Sequence, residues 1–228
     1  MALRVDERAD EFTVVDQFEN GVTWIAHPDE TMQRASHALT IDGDVWVIDP
    51  VDADGLDELL GEYGDVTGVV VLLDRHTRDA AAIANRHEVP VFLPESFDDI
   101  TGNDLEAPVA RFRDELSTTG LEAHTVVENR FWKEVALYNP DDGTLVVPES
   151  VGTVEYFCAG SEPLGVHPMQ RPMPPQEALG GFAPDRILVG HGPGVHSNAS
   201  EALEDALATS RRRMPRVYAG TLWRALPF

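Results

Sequence analysis

The sequence predicts a layered α/β fold, and three stretches predict it. Residues 12–48 alternate short apolar runs with turn residues, as an antiparallel meander does. A strand, loop, helix and strand follow between residues 68 and 93, and a second strand-rich half begins near Ala123. A chain of 228 residues, 43% of them hydrophobic, is long enough to bury one sizeable core. One domain spanning residues 1–228 is therefore expected.

In chain order, residues 12–18, 22–26, 38–41 and 45–48 read as strands, with Asp42-Gly43-Asp44 as the hairpin turn between the last two. Asp54 is placed to cap a helix that carries Leu56, Leu59 and Leu60 on one face. Residues 68–73 are apolar without strong alternation, the pattern of a strand covered on both faces. Residues 80–84 form a helix of small side chains able to lie close to a sheet, and residues 89–93 form the next strand. The loop between them leaves the carboxyl end of a strand, where layered α/β folds place their chemistry. Residues 123–127, 131–138 and 144–147 are strands again, the latter two joined by the turn at 139–143. Residues 161–177 hold five prolines and read as a stiff loop that either overhangs a site or merely connects. Ala202, Leu203, Ala206, Leu207 and Ser210 give a helical stripe that starts near Ser197. The aromatic tail at 222–228, with Trp223 and Phe228, reads as packing or as cover for an apolar patch or partner.

The charge balance is extreme: 40 Asp and Glu against 17 Lys and Arg, a formal −23, with Lys133 the only lysine. So much like charge repels itself at ordinary ionic strength, whereas concentrated salt shortens the screening length to a few ångströms. A salt-adapted, haloarchaeal type of cytoplasm is expected, with an ordinary acidic protein as the alternative. An acidic surface repels phosphates, which argues against nucleic-acid binding; Arg211, Arg212, Arg213 and Arg216 read as basic residues at a helix C-terminal end. Cys158 is the only cysteine, so no intramolecular disulfide forms and a reducing compartment fits. The charged first ten residues lack the apolar core of a secretory signal, and no apolar run approaches the ~20 residues of a membrane helix.

Three fragments carry a resemblance: Val45-Trp46-Val47-Ile48-Asp49-Pro50, then Val69-Val70-Val71-Leu72-Leu73-Asp74-Arg75-His76-Thr77-Arg78-Asp79, then Ile187-Leu188-Val189-Gly190-His191-Gly192. In this order they resemble the metallo-β-lactamase superfamily over residues 10–210. The resemblance implies a four-layered αββα sandwich. It also implies a metal centre, built from a His-x-His-x-Asp-His motif after one strand and further ligands after later strands.

Carried over, the motif's first His falls on Asp74, its second on His76, its Asp on Arg78 and its third His on Asp79. A later His aligns with Arg130, the bridging Asp with Glu149, and the last His with His191, while Asp49 keeps the family's structural aspartate. An arginine has no acceptor for a metal and stays charged. Burying Asp49, Asp74, Asp79 and Glu149 together would demand compensating positive charge. Two readings follow. In the first, the two-ion centre is absent, no metal cofactor is needed, and Arg78 and Arg130 neutralise the carboxylates in a network with the histidines. In the second, one divalent ion is held by Asp74, His76, Asp79 or Glu149, and His191; oxygen-rich ligation would favour Mn, Fe or Mg over Zn.

Function divides in the same way. A non-catalytic relative would bind a small anionic ligand or a protein partner. A divergent cytoplasmic hydrolase would cleave an ester, thioester or phosphoester, with His76 or His191 positioning water and Arg78 or Arg130 stabilising an anionic transition state. Losing ligands from both metal positions favours the binding role. His37 reads as structural or pocket-lining, Ser197 near His196 as a helix cap, Cys158 as buried and inert, and Trp132 as packing. His27, His87, His124 and His167 carry no assigned role.

Overall fold

Seven strands form the first sheet in chain order: β1 (Thr13–Phe18), β2 (Gly21–Ile25), β3 (Ala35–Ile41), β4 (Asp44–Ile48), β5 (Asp65–Val70), β6 (Val91–Pro94) and β7 (Val109–Phe112). The first four pair antiparallel, β1 to β2 and β3 to β4 through tight turns and β2 to β3 through a longer loop, and β4 to β7 pair parallel. Helices α1 (Leu56–Gly61), α2 (Ala80–Arg86) and α3 (Gly102–Leu105) supply the crossovers that parallel pairing requires. The second sheet contains β8 (Glu122–Asn129), β9 (Trp132–Asn139), β10 (Thr144–Val147) and, parallel to β10, β13 (Arg186–Val189). Between them β11 (Val151–Gly152) pairs with β12 (Gly165–Val166), followed by a 3-10 turn at Pro168–Gln170 and α4 (Gln176–Leu179); α5 (Ala199–Ala225) closes the chain. This computed structural model describes residues 2–5 and 7–225, with side chains up to residue 219. The Trp223 and Phe228 side chains lie outside the described residues.

Strand pleating sorts the apolar residues into three cores. Val45, Val47, Val69 and Val71 turn outward onto Leu56, Leu60, Ala80, Ile83 and Ala84 of the first two helices and their approaches. Trp46, Ile48, Val70 and Leu72 turn the other way and meet Val135, Leu137, Val146 and Leu188 between the sheets. Leu145, Val147, Ile187 and Val189 face Leu203, Ala206 and Leu207 of α5. Helix, sheet, sheet and helix thus make the four-layered αββα sandwich, and a strand covered on both faces explains the unbroken apolar run at 68–73. At ~25 cal/mol per Å² of buried apolar surface, these three seams are the main source of stability.

Some expected boundaries move for local reasons. The N-cap of α1 is Gly55, at φ 81, while Asp54 instead pairs with Arg8 at 2.8 Å. The sixth strand starts at Val91 because the Val89 N–H bonds back to Ala84 O and closes the end of α2. Leu73 leaves the first sheet to bridge Glu134, and the Val135 N–H donates to Leu72 O at 2.9 Å, so the two sheets are stitched at one edge. A second stitch joins the Ala35 N–H to Gly190 O at 2.9 Å. Gly190 is needed there, since a Cβ would collide with the Pro148 carbonyl. Among the described residues no helix is long and apolar enough to cross a membrane.

Candidate functional site

Four strands end at this stitched edge, and each delivers a side chain: Asp49 after β4, His76 after β5, Glu149 after β10 and His191 after β13. All four are buried, none more than 6% exposed. Asp49 has φ 45 and Arg78 φ 38, left-handed conformations that cost a non-glycine residue energy and persist where neighbours fix them. The neighbours are visible. Asp49 accepts from the Leu72 N–H at 2.9 Å with Oδ1 and meets His76 Nδ1 at 3.0 Å with Oδ2.

Glu149 Oε2 is the focus of the site, 3.1 Å from His76 Nε2 and 2.8 Å from His191 Nε2. The opposite nitrogen of His191, Nδ1, lies 2.9 Å from Met32 O. Burial disfavours the charged Glu149 carboxylate, but the His191 and His76 contacts outweigh it and hold its pKa well below the usual range. Burial holds His191 below the usual imidazole range. Met32 itself is held by its N–H bond to Leu3 O, beside a buried Glu30–Arg34 ion pair at 2.8 Å. Phe157 stacks on His191 with ring centroids 5.4 Å apart.

Arg78 turns its guanidinium inward. Nη1 donates to Ala35 O at 2.7 Å and Asp49 O at 2.6 Å, while Nη2 reaches Gly190 O at 3.3 Å and His76 Nε2 at 3.4 Å. One fixed cation thereby ties the ends of β3, β4 and β13. Burial lowers its pKa to about 10, with Asp49 acting in the opposite direction, so it is charged at neutral pH.

The other expected pocket residues are drawn elsewhere by specific partners. Asp74 Oδ2 accepts the Lys133 N–H at 3.2 Å, which holds its side chain on the β9 backbone. Asp79 Oδ2 accepts the Asp52 N–H at 2.9 Å and organises the loop after β4. Arg130 is exposed in the β8–β9 turn, over the ring of Phe131. Arg78 and Arg130 therefore do not jointly neutralise Asp74 and Asp79. The residue of β9 that reaches the site is Glu134: it is fully buried and accepts from the Glu149 and Ser150 N–H groups, Ser150 Oγ and Trp132 Nε1. Burial raises the Glu134 pKa against those four hydrogen bonds.

His167 also belongs to the site, although sequence reading gave it no role. Its Nε2 lies 3.3 Å from Glu149 Oε1. The proline-rich segment carries it there, anchored by fully buried Arg171, which donates to Glu162 Oε2 at 2.7 Å and Phe157 O at 2.6 Å. Glu162 in turn meets Arg213 of α5 at 3.0 Å. His37 is buried on β3, 2.9 Å from Thr23 Oγ1, and His196 pairs with Asp16 at 2.9 Å, both outside the Glu149 cluster. Cys158, expected to be buried, is only partly so, and desolvation pushes its thiol pKa up to about 12.

A two-ion centre does not fit these residues, because the Lys133 and Asp52 N–H groups hold Asp74 and Asp79 away from the cluster. One ion does fit. His76, Glu149 and His191 each offer a ligand atom within 4.8 Å of the others. Both Nε2 atoms turn to Glu149 Oε2 while both Nδ1 atoms face other acceptors; His76 Nε2 also has the Arg78 guanidinium at 3.4 Å. An Nδ1–H given to Asp49 or to Met32 O is the outer-shell arrangement that orients metal-binding histidines.

Solved structures share this architecture. The chain is similar to a metallo-β-lactamase from Pontibacter korlensis, with a TM-score of 0.61 and 14% identity over 87% of this chain and 99% of that one. It is similar to the DIM-1 metallo-β-lactamase at a TM-score of 0.58 and 13% identity, over 88% and 98% of the two chains. A third likeness, to VMB-1, has a TM-score of 0.58 and 9% identity over 93% and 99%. The chain has the metallo-β-lactamase fold. No family model matches its sequence, and no curated protein does.

Proposed function

We propose that this chain holds a single divalent metal ion through His76, Glu149 and His191, in a fold whose two-ion centre has given way to an arginine clamp, and that the site binds a small anionic ligand. The observation that carries this is the convergence of the two Nε2 atoms on Glu149 Oε2 while both Nδ1 atoms face fixed acceptors. Two nitrogens and one carboxylate oxygen, without Asp74 or Asp79, form a less oxygen-rich set than the sequence suggested. Zinc, iron or manganese suits it better than magnesium. The Arg78 guanidinium beside a divalent ion would offer an anion two cationic partners in a site otherwise lined by Asp49, Glu149 and Glu134.

Binding is favoured over hydrolysis because the neighbouring acids are engaged. Asp49 is held by Leu72 and His76, and Glu134 by four donors, so neither is free to accept a proton from water. A divalent ion would supply Lewis-acid polarisation of an ester, thioester or phosphoester, and the hydrolase reading rests on that chemistry. The acidic composition supports a salt-rich cytoplasm as the setting, and a protein partner is the alternative occupant.

Plasma mass spectrometry on protein purified in high salt, without a metal-affinity column, tests the proposal. About one equivalent of metal is expected, lost in His76→Ala. Less than a tenth of an equivalent, as an order-of-magnitude limit, after incubation with Zn²⁺, Fe²⁺ and Mn²⁺ would overturn it. Turnover of ester or phosphoester substrates that disappears in both His76→Ala and His191→Ala would replace the binding role with hydrolysis.

A further inference from the structure

The Glu149 carboxylate is held from both sides, and the two sides differ. Oε2 faces His76 and His191, whereas among the described residues Oε1 pairs with His167 Nε2 alone, at 3.3 Å. The proton on His167 is placed by the backbone. The Met169 N–H donates to His167 Nδ1 at 3.2 Å, which leaves the hydrogen on Nε2, the ring nitrogen nearer Oε1. Three rings fix the imidazole plane: Trp132 and Phe157 at 5.0 Å and Tyr156 at 6.2 Å. The His167 N–H bonds to Ser150 O at 2.9 Å, so this ring is tied to the turn that carries Glu149.

Resting on the single-ion reading, we infer that His167 is a positioning residue that sets metal selectivity by occupying Glu149 Oε1 and making Glu149 a one-oxygen ligand. A carboxylate whose second oxygen already has an imidazole nitrogen 3.3 Å away suits a small ion with few ligands. Calcium takes 6–8 oxygens and readily uses both atoms of a carboxylate. The proline-rich segment thus contributes specificity to a centre whose candidate ligands lie on other elements.

Zinc and calcium titrations of the wild-type chain, His167→Phe and His167→Gln test this by chelator competition. Phe keeps the aromatic packing and removes the donor; Gln restores an N–H. Zinc affinity should fall about 10- to 100-fold in His167→Phe, with the zinc-to-calcium ratio falling in parallel, and His167→Gln should recover most of it. A His167→Phe chain that melts like wild type and keeps both the zinc affinity and the ratio would overturn the inference alone. Failure of the wild-type chain to bind zinc would overturn the ion site and this inference together. The ¹⁵N imidazole spectrum of the wild-type chain is a check that needs no variant to fold. A proton on His167 Nε2 is expected, and one on Nδ1 would overturn the assignment.

Discussion

Arg78 Nη2 lies 3.4 Å from His76 Nε2, so a permanent positive charge stands beside the nitrogen that would face a metal ion. The same guanidinium satisfies the carbonyls of Ala35, Asp49 and Gly190. Stability and ion affinity should therefore respond oppositely to its removal. Arg78→Met should destabilise the fold by about 3 kcal/mol, since it leaves buried carbonyls without donors. It should also tighten zinc binding by removing a like charge. Urea denaturation and a competitive zinc titration on the same variant check both halves; weaker zinc binding in a folded variant would contradict the electrostatic part.

The anchor of the proline-rich segment should be similarly sensitive. Glu162→Gln leaves Arg171, fully buried, without its counter-charge, a change expected to cost about 3–5 kcal/mol. Because this segment delivers His167, amide exchange at residues 165–171 should accelerate more than exchange in β4 or β5. Uniform acceleration across the chain would show that the segment is not an independent unit.

Acid should weaken the fold through His37. Burial depresses its pKa to about 4 despite the opposing fields of Asp16 and Asp49, so the unfolded chain binds a proton there that the folded chain refuses. Stability is full above about pH 6.5 and declines as pH falls towards 4, by at most about 3 kcal/mol from this group. His167, also lowered to about 4 by burial, acts in the same direction. His37→Gln should show a shallower decline of melting temperature across that window, and an unchanged slope would remove His37 as a cause.

Molar KCl should raise the melting temperature relative to low salt, given the formal charge of −23. Thermal melts at both salt concentrations decide this, and equal or greater stability in low salt would contradict salt adaptation.

The strands were legible from their apolar residues, whereas the four-layered sandwich and the places of Asp49, Glu149 and His191 followed from the resemblance to the metallo-β-lactamase superfamily. The orientation of Arg78 was not legible: φ 38 redirects its side chain, and no residue pattern encodes that angle. Asp74 and Asp79 occupy motif positions, yet the backbone donors of Lys133 and Asp52 claim them. Alignment placed a site residue at Arg130, but the β8–β9 hairpin turns there and the inward position falls on Glu134. His167 was hidden because its path depends on a buried ion pair between Arg171 and Glu162, which only the folded chain brings together. Its one available signal was the density of prolines around it.

Lys133, the single lysine, is held by Asp98 and Asp99 at 2.7 Å each, while its own backbone binds Asp74 beside the site. Side-chain amine labelling consequently has one address in this chain. The two aspartates raise the pKa of that ammonium, so its acylation should be slow while the 98–99 loop is docked. A single mass increment, followed over time, would make this lysine a clock for the opening of one edge of the sandwich.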